Sequence, residues 1–234
     1  SLKAGFKHHL YLLYNNRTEF CGDDLVVKVV TFGETMEQDN PRYTGPYNPD
    51  GDNFLDCAGA ESNFAIGLQR LGIEGLKSIW ISRLGDDDSG NFIREQLYGR
   101  VTVIADKYHG EFTGRAYVTH YYDREPTKRY ERKGSAASKL TFSDIEPHIK
   151  DADLLHVTGI TPALSDTCRN TIFEAFRLEL EYVYAGLLDA IQEDPKNKDE
   201  YKSNLELIDH LREILLKYET KERIEKGWDY ADKY

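Results

Sequence analysis

Two stretches decide the fold of this chain. They are Val29-Val30-Thr31-Phe32-Gly33-Glu34 and, after a loop-rich interval, Ala58-Gly59-Ala60-Glu61-Ser62-Asn63-Phe64-Ala65. The first closes a β-branched run, Leu25 to Phe32, that Gly33 stops, which is the pattern of a buried strand. The second reads as a glycine turn entering a helix. Apolar residues at Phe64, Ile66, Leu68 and Leu71 keep helical spacing until Gly72. A strand, a glycine turn and a helix in that order predict an α/β unit with its ligand edge where the strand ends.

The same alternation continues outward. Residues 41–53 are rich in Pro, Asn, Asp and Gly and predict a loop or irregular edge. Lys77 to Leu84 predicts a second strand, and Asp86-Asp87-Asp88-Ser89 offers caps for a helix running to about Tyr98. Val101 to Ile104 is a third strand. Arg115 to Asp123 and Lys128 to Arg132 form an exposed hairpin around Asp123-Arg124-Glu125-Pro126. Ser143 to Glu146 starts a short helix and Ala152 to Val157 is a further strand. The tail differs. Apolar residues from Ile172 to Ile191 keep a helical period, Asp194-Pro195 breaks it, and Leu205 to Tyr218 carry a second stripe, which predicts a helical hairpin; Glu222 to Tyr230 is a third, short helix. Three regions result: residues 1–24 as an N-terminal extension, 25–177 as the α/β region, and 178–234 as a helical tail.

Composition narrows the function classes. The chain has 234 residues, of which 40% are hydrophobic, enough for a core without disulfide or metal staples. A net charge of −11 argues against a nucleic-acid partner, which would need a basic surface. No apolar run reaches the ~18–20 residues of a membrane span. Cys21, Cys57 and Cys168 are odd in number and far apart, so no disulfide framework is expected and a cytoplasmic location is the default. The scattered histidines suggest no metal site, and Asp86-Asp87-Asp88 lacks the ligand pattern of a calcium loop.

In its motifs the sequence resembles the ribokinase-like (PfkB-type) carbohydrate kinases, and within them the 2-keto-3-deoxygluconate kinases. Besides the two opening stretches and Leu71-Gly72, the matches are Arg83-Leu84-Gly85-Asp86-Asp87-Asp88-Ser89-Gly90, Thr113-Gly114-Arg115, Arg132-Lys133-Gly134-Ser135-Ala136-Ala137 and Thr158-Gly159-Ile160-Thr161-Pro162-Ala163-Leu164-Ser165. They occur in the family's order over roughly residues 26–177. The resemblance implies a ribokinase-like partial parallel sheet with helices and a small β lid. It implies a sugar-acid substrate, with ATP and Mg as cofactors. It implies substrate contacts at Gly33, Ala58, Gly59 and Asn63, with Ala58 standing where the family has the first glycine of a pair. Arg115, Tyr117 and Arg132 of the hairpin are candidates for the substrate carboxylate, because an arginine fork can bind one bidentately. The hairpin would be the lid, and the lid or the tail helices would join a homo-oligomer.

One family element is missing from the sequence. No Gly-x-Gly-Asp turn occurs, and in the family that turn supplies the anion hole and the general base. No catalytic residue and no nucleotide site is therefore assigned. Two further readings stay open: a non-catalytic sugar-binding or interaction protein, and a truncated or chimeric fragment.

Overall fold

The structure, a computed structural model, describes residues 9–13, 26–193, 196 and 198–219. Five strands form sheet A: β1 (His9–Leu13), β2 (Val27–Phe32), β5 (Leu76–Gly85), β6 (Thr102–Tyr108) and β9 (Leu154–Thr158). Their order is β1-β9-β2-β5-β6. The last four run parallel, while β1 pairs antiparallel with β9.

Helices cover both faces of this sheet, which explains the unbroken apolar runs of its central strands. Along β5 the side chains alternate. Ile79 and Ile81 face a layer containing Val30, Phe32, Leu155 and Val157, with Ile145 and Ile149 of α3 (Phe142–Ile149) and Ile172 and Phe176 of α5 (Asp166–Glu193). Trp80 and Leu84 face Ala65 and Ile66 of α1 (Ala60–Gln69) and Ile93 and Leu97 of α2 (Asp88–Leu97). Arg83 ties the sheet to α3 through two hydrogen bonds to Asp144, at 2.9 and 3.0 Å.

A second, four-stranded sheet forms the lid: β4 (Asn53–Ala58), β3 (Met36–Pro41), β7 (Arg115–Thr119) and β8 (Thr127–Glu131), in that spatial order. It is larger than the hairpin expected from sequence. The strand Met-Glu-Gln-Asp-Asn-Pro has little β-branched character and is held in place by its pairing with β4 and β7. A short helix, α4 (Ile160–Leu164), follows β9. It leads into α5, and α6 (Lys198–Glu219) packs back on α5 through Leu180, Leu187 and Ile208.

Three boundaries depart from the sequence reading. β6 runs four residues further, to Tyr108, because β5 offers it partners up to Gly85. α5 begins at Asp166, six residues ahead of the apolar period that starts at Ile172, with the hydroxyl of Ser165 accepting from the Cys168 N–H as an N-cap. Residues 9–13, placed in an extension by sequence, form the edge strand beside β9. Position 177 lies inside α5. The expected helix over 222–230 and the break at Asp194-Pro195 lie outside the described residues.

Candidate functional site

The site is built where β2 ends. A Cβ on Gly33 would come within 2.4 Å of the Thr161 hydroxyl and 2.6 Å of the Glu61 carboxyl carbon, so only glycine lets the chain leave the strand here. Gly59 is needed for the same reason. A Cβ there would meet the Thr35 hydroxyl at 2.4 Å and the Glu34 carbonyl at 2.8 Å. The Thr35 hydroxyl donates to Ser62 at 2.7 Å, which packs the segment after β2 against the start of α1. No side chain caps that helix start, and Asn63 stands exposed one turn in. Ala58, half-buried, ends β4 beside Gly59. Gly33 thus lies against Glu61 of α1, while Ala58 and Gly59 lead into that helix and Asn63 lies one turn along it.

Beneath them lies a fully buried carboxyl. Oε1 of Glu61 accepts from the Thr158 hydroxyl at 2.6 Å, the Thr161 hydroxyl at 2.8 Å and the Thr158 N–H at 3.2 Å. Its Oε2 has no hydrogen-bond partner and packs under Gly33. Burial raises the Glu61 carboxyl above its ordinary range, and the donors on Oε1 oppose that shift. One side chain thus joins α1 to the end of β9 and to α4, while Thr161 also reaches the Phe32 carbonyl of β2, at 3.4 Å.

The lid attaches through Glu34. Its side chain is fully buried, Oε1 accepts from the Ser135 hydroxyl at 2.6 Å, and Oε2 lies 2.6 Å from Nη2 of Arg132, an ion pair outside hydrogen-bond alignment. Arg132 follows β8, and its guanidinium lies 5.5 Å from the centre of the Tyr130 ring.

Arg115 and Tyr117 lie on β7, whereas Arg132 lies past the end of β8. The pairing of β7 with β3 and β8 puts Arg115 and Tyr117 on one lid face with Glu37 and Glu131, whereas Ala116 and Tyr130 occupy the other. Arg115 donates to the Ser89 hydroxyl of α2 at 2.8 Å. The Tyr117 hydroxyl donates to Glu131 at 3.0 Å, and its ring meets Tyr47 edge-on at 5.2 Å.

Asp87 anchors the far side of the lid. It caps α2 by accepting from the Gly90 N–H at 2.8 Å, and it also accepts the Thr113 N–H and hydroxyl at 2.8 and 2.7 Å. Burial works against its charge, but these donors hold the carboxyl below its ordinary value. The Cys57 thiol is pushed up to about 12, first by burial and then by Asp56, which leaves no thiolate for nucleophilic chemistry.

Sequence reasoning quoted Glu34, Glu61, Ser135, Thr158 and Thr161 as motif members without assigning them roles. The available signal was an acidic residue within two positions of each glycine, Glu34 after Gly33 and Glu61 after Gly59. Among the described residues no group of three or more His, Cys, Asp or Glu could hold a metal ion.

The family model described as pfkB family carbohydrate kinase matches residues 27–212. The 2-dehydro-3-deoxygluconokinase of Bacillus subtilis (strain 168) is 36% identical over 140 residues, 58% of this chain and 42% of that protein. The enzyme of the same name from Thermoproteus tenax is 35% identical over 158 residues, 65% of this chain and 48% of its own length. The crystal structure of a PfkB protein from Polaromonas sp. JS666 superposes with a TM-score of 0.54 at 32% identity, covering 65% of this chain and 52% of that one. The chain spans about half the length of the curated relatives it matches. With the family match running from β2 into α6, and the strand-end glycine, the uncapped helix and the lid arranged around one edge, the chain belongs to the pfkB family of carbohydrate kinases.

Proposed function

We propose that this chain binds 2-keto-3-deoxygluconate (2-dehydro-3-deoxygluconate) or a related sugar acid between the lid and the carboxyl edge of sheet A, and that this binding serves ATP-dependent phosphorylation of a sugar hydroxyl. The observation that supports the reading is the close packing of Gly33 against Glu61 and of Gly59 against Glu34, Thr35 and Ser62 where β2 ends, with the Glu34–Arg132 ion pair beside them. The N–H groups at the uncapped start of α1 suit hydroxyl or carboxylate oxygens, and the exposed Asn63 amide can both donate and accept. Arg132 supplies charge and a planar fork for the carboxylate. The names of the relatives from Bacillus subtilis and Thermoproteus tenax support this substrate class.

Magnesium and nucleotide do not fit the described residues in the same way. No acidic set suited to a metal is present among them, and the sequence has no Gly-x-Gly-Asp turn. A second reading is sugar-acid binding without catalysis.

Calorimetry with 2-keto-3-deoxygluconate and with Mg-ATP, alongside ADP release, separates the two. Turnover of the sugar acid establishes the kinase reading. Sugar-acid binding without nucleotide binding establishes the second. A chain that binds no sugar acid overturns both.

A further inference from the structure

Glu34 occupies an unusual place. It sits between the last residue of β2 and the first of the lid, its side chain has no solvent contact, and two distant segments close around it. Gly33 precedes it, Ser135 donates to Oε1 at 2.6 Å, and Gly114 packs so closely that a Cβ there would lie 2.5 Å from Oε1. Its carboxylate therefore has one position. Oε2 faces the Arg132 guanidinium, whose Nε is buried and has no hydrogen-bond partner. A guanidinium has five N–H donors in a rigid plane, so fixing one edge of it aims the rest.

From this geometry we propose that Glu34 is the positioning residue for Arg132: it holds the guanidinium at the sheet edge so that the remaining donors meet the carboxylate of the sugar acid. This rests on the reading of Arg132 given above. Glu34 does not touch the sugar. It sets the orientation of the group that does, and it fixes preference for an acid over the corresponding neutral sugar.

The test uses the full chain and three proteins: wild type, Glu34→Gln and Arg132→Lys. Glu34→Gln keeps the shape and the acceptor for Ser135 while removing the charge. Calorimetry with 2-keto-3-deoxygluconate and with its methyl ester gives an acid-to-ester affinity ratio, which a merely structural role would not move. Glu34→Gln is expected to weaken acid binding at least tenfold and ester binding less than threefold. Combining Glu34→Gln with Arg132→Lys should cost little more than either alone, since both act through one contact. Acid binding that is unchanged or tighter in Glu34→Gln, or equal weakening of acid and ester, overturns the proposal.

A nitrogen-15 spectrum of the Arg132 Nη–H signal, assigned by its loss in Arg132→Lys, reads Glu34 without any sugar. It should lie apart from free-arginine signals in wild type and merge with them in Glu34→Gln. An unmoved signal overturns the role of Glu34. A moved signal in a protein that does not favour the acid overturns instead the assignment of Arg132 to the carboxylate.

Discussion

Glu179 lies buried in α5, its Oε1 has no partner, and burial pushes its carboxyl up to about 7. The folded chain therefore holds this proton more tightly than the unfolded chain, whose glutamates titrate near 4.3. Between those two values the folded state binds more protons, so the contribution of Glu179 to stability is greatest at low pH and is lost as pH rises through about 7. Glu179→Gln removes this dependence. The stability difference between variant and wild type is expected to be small near pH 4.5 and to grow up to pH 8, reaching on the order of 3 kcal/mol in favour of the variant. Thermal unfolding across that range checks it. Asp144 shows the opposite balance. Burial opposes its charge, but Arg83 and Thr141 outweigh it and hold the carboxyl low. Such differences were not legible in the sequence, because Glu61 and Glu179 look like ordinary helix-surface acids until packing shows which donors reach them.

The lid shows what register adds to motif. The sequence placed Arg115, Tyr117 and Arg132 on one hairpin; strand alternation puts Arg115 and Tyr117 on one face of β7, while Arg132 lies past the end of β8 and pairs with Glu34. Arg132→Ala is expected to weaken sugar-acid binding at least tenfold. Arg115→Ala should leave affinity within about twofold and lower the melting temperature through loss of the Ser89 contact; calorimetry and thermal unfolding read both outcomes. The parallel core was readable because its strands are apolar on both faces. The glycine turn at 58–59 was readable because glycine punctuates so strongly. β3 was not, since a polar strand owes its existence to neighbours distant in sequence. The start of α5 had a usable signal in Ser165-Asp166, which the periodicity of the following residues masked.

At the scale of the molecule, α5 joins what the sequence divides. Its first half gives Ile172 and Phe176 to the core of sheet A, and its second gives Leu180 and Leu187 to the contact with Ile208 of α6. A chain ended after Arg177 would lose the burial of those three side chains, roughly 1.5–3 kcal/mol each. It is expected to melt at a lower temperature than the full chain, as circular dichroism would show. The pairing of β1 with β9 has a consequence in time. His9 meets Thr158, and Leu13 meets Leu154, so each residue of β1 finds its partner about 140–150 residues later in the chain. At a synthesis rate of about 5–20 residues per second, β1 waits on the order of 7–30 s before its partner exists. Throughout that interval the stretch His-Leu-Tyr-Leu-Leu is an unpaired apolar strand on a growing chain. Sheet A therefore cannot close until β9 has been made, and its nascent form is exposed to aggregation and to chaperones for longer than any local hairpin would be.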